Sequence, residues 1–387
     1  MIQFPWRLVP RTQPSARMRV LAPVMAIVLT LLAGCILFAS LGLSPLAALK
    51  VFLVEPLSSV NGVSELLLKA SPLCLIALGL AVGYRANVWN IGAEGQMYLG
   101  GVFATGLAIY FHDSGGPWLL PMMVVAGAIG GALWASIPAY LRVNFHANEI
   151  LVSLMLTYVA DLLIKFLVYG PWQDPAANNF PLTVSFSDNA LFPLFASFAG
   201  DWLEGTRVNV SLLITLVALP LAWLFMQRTF AGYQLTVAGL APSAARYAGF
   251  SSRAAIWMAL LISGAAAGVA GVMEVAGPLG QLNDRWTPGY GFTAIIVATL
   301  GRLHPLGIAL ASLLMALVYL GGEAVQISLQ LPKAISLVFQ GLLLMLLLGC
   351  DVLVNYRVER RRAAATAPVE IKPAEIKPAE TSPVEIK

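Results

Sequence analysis

Charge is what this chain has least of. Asp, Glu, Lys and Arg make up 11% of its 387 residues, against about 25% in an ordinary soluble domain. Several of the charge clusters sit near the two ends, so the middle is poorer still. With 59% of the residues apolar, a single aqueous globule could not hide the surface. A soluble enzyme, a disordered chain and a nucleic-acid binder are excluded as first readings. The formal charge of +4 marks no basic stripe on a soluble domain; its placement reports membrane orientation instead.

Chemical signatures are scarce as well. No G-x-x-x-x-G-K-[ST] phosphate loop occurs, so ATP is not bound by that route. There is no HExxH pair, and His112, His146 and His304 fall in separate short loops. Cys35, Cys74 and Cys350 lie far apart inside apolar runs, which argues against a disulfide framework or a zinc site. No metal or cofactor is expected on this chain, and no catalysis by it alone.

What the chain has in abundance is long apolar runs. A spanning helix needs about 20 mostly apolar residues, and on that criterion roughly ten candidates occur. They cover 20–43, 66–84, 91–111, 118–141, 150–169, 208–227, 255–276, 292–300, 306–321 and 334–353. The eighth is too short to cross alone; it needs the Gly-rich segment before it, or it is a broken element. The expected fold is an all-α polytopic membrane protein.

Arg7, Arg11, Arg17 and Arg19 precede the first run, and Arg357, Arg360, Arg361 and Arg362 follow the last. Both termini therefore read as cytoplasmic, which requires an even number of crossings. Ten crossings also place Arg85, Arg142, Arg228, Arg246, Arg253 and Arg302 on the cytoplasmic side. The opposite side receives Glu55, Asp113, Asp174, Asp188, Asp201, Glu204 and Glu323, with only Lys50, Arg207, Arg285 and Lys333 as bases. The organisation is then a basic tail at 1–19, a membrane domain at 20–356 with a cytoplasmic segment at 229–250, and a tail at 357–387. In that last tail Pro-Val-Glu-Ile-Lys at 368–372 recurs in variants at 373–377 and 383–387, a Pro-punctuated flexible repeat. Leu32-Ala33-Gly34-Cys35 has the look of a lipoprotein cleavage box, but the apolar run continues past it, so cleavage is not expected.

Polar residues within such runs are costly and mark cavities or helix contacts. Asn90, Glu94 and Gln96 sit in Asn-Ile-Gly-Ala-Glu-Gly-Gln, with Gly100-Gly101 following. Two readings are open: a polar lining or gate near the cytoplasmic end, or a helix start that Asn90 caps with Glu94 in its first turn. Asn148 and Glu149 open the fifth run, where a cap is sufficient explanation. Asp161 and Lys165 are spaced to pair on one helix face. Glu274 and Gln281 flank Gly277-Pro278, a helix break tolerated at depth where it lines a cavity; an ordinary exposed hairpin is the alternative. On the cytoplasmic side, Pro242 suits a first helical turn, Ala244 and Ala245 give a slim face, and Gly249 stops the helix. With Gly239 and Arg246, these residues describe a short rigid lever or a surface helix.

Taken together, these motifs resemble the permease subunits of bacterial ABC importers, in the branch serving simple sugars and nucleosides and related to branched-chain amino acid and ribose permeases. The resemblance is carried by Asn90–Gln96, by Asn148-Glu149-Ile150, by Gly239–Gly249 and by Gly289–Ala298. It covers residues 66–348 and leaves out both tails. It implies two permease chains, often different, in a bacterial inner membrane. It also implies two cytoplasmic ATPase domains and a periplasmic or lipid-anchored substrate-binding protein. The segment 232–250 would dock into the ATPase, and Asn90–Gln96 is most similar to nucleoside permeases. Two departures stand out: Thr236 where the family usually has Arg, and Ala241 where it usually has Asn. The rival class is a secondary transporter using an ion gradient, with Glu94, Glu274 or Asp161 as the coupling group.

Overall fold

Short polar residues set where many of the helices begin. Ser15, Ser59, Asn148, Thr229 and Ser251 each accept a backbone N–H through the side-chain oxygen, and each is followed by a helix. The computed structural model describes residues 6–11, 15–199, 204–284, 286–287, 289–332 and 334–360. The tail repeats, Arg361, Arg362, Asp201, Arg285 and Lys333 lie outside the described residues.

The helices in chain order are α1 (Ala16–Ser40), α2 (Pro45–Leu53), α3 (Val60–Arg85), α4 (Ala93–Tyr110), α5 (Leu119–Phe145), α6 (Glu149–Val168), α7 (Ala196–Ala199) and α8 (Ser211–Arg228). Then follow α9 (Phe230–Leu240), α10 (Pro242–Tyr247), α11 (Ser252–Glu274), a π-helical turn (Val275–Leu279), α12 (Tyr290–Leu300), α13 (Pro305–Leu329) and α14 (Ala334–Asn355). Two short strands, β1 (Trp6–Pro10) and β2 (Tyr356–Arg360), pair antiparallel, with Trp6 opposite Arg360. The two ends of the described chain therefore lie side by side.

The fold is an all-helical bundle. Among the described residues eight helices are long and apolar enough to cross a membrane. The other two runs expected to cross are α4, of 18 residues, and α12, of 11. At 1.5 Å per residue α12 reaches about 16 Å, half of a hydrocarbon core. The short helix α2 has no counterpart among the expected runs; it packs against α13, where Gly321 lies against the Phe52 backbone.

Helix α3 is the centre. It is buried over 83% of its apolar window, whereas α6 and α8 are buried over 22% and 17%. The outer faces of α6 and α8 present large apolar residues such as Leu162, Phe166, Val217 and Leu221, as a lipid-facing helix does. Helix α11 packs on α3, α4 and α5. There the side chains are too small to hold the backbones apart: a Cβ on Gly268 would stand 2.1 Å from the Gly127 carbonyl oxygen, and one on Gly100 2.2 Å from that of Gly268. This glycine seam replaces the missing hydrophobic drive between helices with close van der Waals contact. A second apolar cluster, built on Phe38, Phe52 and Phe339, joins α1, α2 and α14.

Candidate functional site

Two non-helical segments enter the bundle from opposite ends and meet inside it. After α3 ends, residues 87–92 turn back along it instead of leaving the bundle. Val88 lies over Gly83, and Asn90 reaches Ser263 near the midpoint of α11. The Asn90 amide donates to Ser263 Oγ at 2.8 Å and to Gln96 Oε1 at 2.7 Å. Its Oδ1 accepts from Gln96 Nε2 at 3.0 Å and from Gly92 N at 3.1 Å. Gly92 and Gly95 then pack directly on Ser153 and Thr157 of α6.

From the other end, residues 280–284 run beside residues 183–186, with Phe186 N donating to Gly280 O. Thr183 N donates to Leu282 O, and Leu282 N to Thr183 Oγ1. The segment delivers Thr287 and the start of α12 to Glu94. Thr287 Oγ1 donates to Glu94 Oε1, and Gly291 N donates to Glu94 Oε2, both at 2.5 Å. The Glu94 side chain thus sits in the first turn of α4 and also at the positive end of α12. A Cβ on Gly291 would fall 2.2 Å from Glu94 N, so the approach needs glycine there. Asn90, Glu94 and Gln96 are each 1% exposed. Irregular backbone at this depth is tolerable because these side chains satisfy it.

Between this knot and the end of the bundle away from Arg85 lies a cavity of about 240 Å³. Glu65 and Lys69 of α3, Arg207, Glu274 and Glu323 line it, and Trp286 and Tyr290 do so from the knot side. Arg207 holds Glu65 through two bonds, 2.7 Å from Nε and 2.8 Å from a terminal nitrogen, the bidentate geometry that guanidinium and carboxylate share. That bond holds the Arg207 guanidinium above its ordinary pKa. Lys69 Nζ lies 3.0 Å from Glu323 Oε1. Glu274 lines the cavity together with Lys69 and Arg207, and the buried indole N–H of Trp286 has no hydrogen-bond partner among the described residues. The Trp286 ring rests on Gly101 and on Tyr98, with ring centroids 5.8 Å apart.

At the opposite end, α9 and α10 form a ledge beside Arg85. Arg85 donates to Met226 O and Leu303 O, fastening the starts of two connections to the end of α3. On α10, Pro242, Ala244 and Arg246 face outward, as do Leu240 at 81% and Tyr247 at 97% exposure. Gly249 stops the element with φ of 79°. Ala241 occupies the N-cap position of α10 and offers no side-chain cap.

The family described as "Branched-chain amino acid transport system / permease component" matches residues 62–348. The chain belongs to that permease family. A glucose ABC transporter permease protein of Haloferax volcanii is 35% identical to this permease over 355 residues, covering 91% of this chain and 93% of the relative. A nucleoside ABC transporter permease protein of Lactococcus lactis is 28% identical, covering 78% and 84%. A guanosine ABC transporter permease protein of Bacillus subtilis is 28% identical, covering 81% and 89%. No solved structure matches the permease.

The expected site residues fall in separate places in this permease. Asn90 and Gln96 bond to one another, with Asn90 also on Ser263, whereas Glu94 bonds Thr287 and Gly291; all three are buried. Asn90 does not cap α4, because Gly92 occupies that position; Asn87 is left-handed at φ 54° and residues 88–91 are not helical, so the helix starts later than the pattern implied. Asn148 caps α6 by accepting from Ile150 N at 2.9 Å, and Glu149 pairs with Arg142 at 2.5 Å. Glu274 reaches the cavity, whereas Gln281 turns to Ser185. Of the lever residues, Gly239 and Ala245 face inward: a Cβ on Gly239 would stand 2.1 Å from Arg85 O, and Ala245 is fully buried. They brace the ledge, and their neighbours supply its outer face. Asp161 and Lys165 pair at 2.7 Å. Sequence reading missed Glu65, Lys69 and Tyr290 as cavity residues and Leu240 and Tyr247 as ledge residues. The available signal was charge placed on opposite-end turns of α3 and α13, which no single-helix pattern relates.

Proposed function

We propose that this permease is one membrane chain of an ATP-driven importer that moves nucleosides or simple sugars inward, with ATP consumed on separate cytoplasmic chains. The observation that carries the proposal is the ledge. A six-residue helix with bare Leu240 and Tyr247 at its margins is braced by Gly239 and Ala245 onto α3 and α11. Exposed aromatic and aliphatic side chains on a rigid support suit a docking partner. In this reading α10 enters the ATPase, and closure of two ATPase domains rocks the ledge against α3. The names of the relatives support cargo of the glucose and nucleoside kind.

The basic end, with both termini, then faces the cytoplasm, and α4 and α12 complete ten crossings together with the eight long helices. The cavity opens to the outside, where a substrate-binding protein delivers cargo, and the Glu94 knot closes its floor. A second permease chain completes the conduit in a bacterial inner membrane. The test is uptake in proteoliposomes holding this chain with its ATPases, permease partner and binding protein. Uptake is expected only with ATP on the ATPase side and in the presence of an uncoupler as well as without. Transport by this chain alone, abolished by an uncoupler, would identify an ion-coupled carrier and refute the importer.

A further inference from the structure

Asp161 and Lys165 stand at a depth where lipid does not tolerate charge. Helix α6 starts at Glu149, so at 1.5 Å per residue Asp161 lies roughly 18 Å along it, inside a hydrocarbon core about 30 Å thick. The pair is not packed away in the bundle: the Asp161 side chain is 33% exposed and that of Lys165 42%. A lysine facing lipid turns its ammonium to the nearer membrane boundary. Lys165, one turn from the end of α6, does the reverse and reaches back to Asp161 Oδ2 at 2.7 Å. Three flanks divide the helix. Ser153, Thr157 and Ala160 are buried, with Gly95 of α4 against Thr157. Val159, Leu162 and Phe166 form an exposed apolar flank, suited to lipid. Between these two, at i, i+3 and i+7, stand Tyr158, Asp161 and Lys165. Tyr169 continues that polar flank one turn on, and its hydroxyl donates to Asp284 Oδ2 at 3.3 Å.

We infer that the flank of Tyr158, Asp161 and Lys165 is the surface on which the second permease chain docks, while the flank of Val159, Leu162 and Phe166 faces lipid. The inference rests on the importer reading above and adds to it the part of this chain that meets that partner. Whatever covers the flank must bring polar groups to the depth of Asp161. Acyl chains have none, and an ATPase or a binding protein lies outside the bilayer. A second membrane-spanning chain meets both conditions. Because the two charges already neutralise each other within α6, they ask the partner for hydrogen bonds and not for net charge, which limits the cost of covering them. Tyr158 stands out from the helix and adds a large ring with a hydroxyl at its tip, a side chain well suited to an interface.

The experiment uses membranes holding the complete importer, with an affinity tag on the permease partner. A benzophenone amino acid is placed in turn at positions 158, 159 and 166 of this chain and activated by light. Position 158 is expected to give a band at the summed mass of the two permease chains that carries the tag. Positions 159 and 166 are expected to give adducts with lipid and no such band. Separately, Asp161→Ala and Lys165→Ala are each expected to lower the amount of this chain retained on the tagged partner by at least about tenfold, because removing one member of a covered charge pair strands the other. Phe166→Ala is expected to leave retention unchanged. A position-158 adduct confined to lipid, or retention unchanged in both charge variants, would overturn the docking surface. Where a charge variant fails to insert, the crosslink at 158 decides alone. Uptake by the wild type is measured in the same preparation. ATP-dependent uptake without the crosslink would overturn the surface and leave the importer standing, whereas uptake indifferent to ATP would overturn the importer reading itself.

Discussion

Removing the Glu94 carboxyl group should loosen the junction between α4 and α12 before it affects anything else. The group receives Thr287 Oγ1 and Gly291 N, each at 2.5 Å, at 1% exposure. A hydrogen bond to such a group contributes about 0.5–1.5 kcal/mol when neutral and about 1.5–3 kcal/mol when the acceptor is charged. Glu94→Ala strands both donors inside the bundle, so the expected loss is about 3–5 kcal/mol. Glu94→Gln keeps the volume and one acceptor oxygen for Gly291 N–H. The threonine hydroxyl can rotate to accept from the new amide, so the expected loss falls to about 1–2 kcal/mol. Thr287→Val removes one donor and one bond, and combined with Glu94→Ala it should cost less than the sum of the two, as contacting residues do. The assay is denaturation of the purified protein in detergent by added dodecyl sulfate, followed by circular dichroism. Stability of Glu94→Ala within about 0.5 kcal/mol of wild type would refute the clamp. Full stability of Glu94→Gln with transport abolished would instead assign Glu94 to the cargo path.

Three further outcomes follow from the packing. Tyr247→Arg should leave thermal stability within about 0.5 kcal/mol because the side chain is exposed, yet abolish cargo-stimulated ATP hydrolysis; Ala245→Arg, at a fully buried position, should lower stability first, which thermal unfolding in detergent separates from activity. Gly268→Val drives a branched side chain into the Gly127 carbonyl 2.1 Å from its Cβ; overpacking of this sort costs about 1–3 kcal/mol or more, and the yield of inserted protein should fall sharply relative to wild type. Ala241→Asn supplies the side-chain acceptor that the start of α10 lacks, and should raise stability by about 0.5–1 kcal/mol, read as slower amide exchange at 243–245.

A membrane chain was legible in the residues because lipid tolerates so few alternatives. Apolar runs of the right length, basic residues at α3, α5 and α8 ends, and the capping residue Asn148 are local signals, each complete within one turn or one run. The irregularity near Gly277-Pro278 was legible for the same reason, proline and glycine acting on their own backbone, although the chain passes through both as a π-helical turn and leaves the helix only at Gly280. Asn90, Glu94 and Gln96 were recognisable as out of place, since polar groups in such a run need partners. Their partners were not recognisable. Ser263 lies 173 positions from Asn90, and Gly291 lies 197 from Glu94, and hydrogen bonding across that separation leaves no periodicity to read.

The amino-acid pattern by itself determined that this chain lives in a bilayer, which runs are helical, and where its polar exceptions stand, because burial of backbone in lipid imposes helix on any long apolar run. Only the tertiary structure decided that residues 87–92 fold back into the bundle, that α12 begins at Glu94, and that Glu65, Lys69, Arg207, Glu274 and Glu323 share one cavity. It also decided which side of α10 faces out. These depend on how closely backbones approach at Gly268, Gly291 and Gly239, and contact between surfaces is a property of two elements at once, which neither carries in its own sequence.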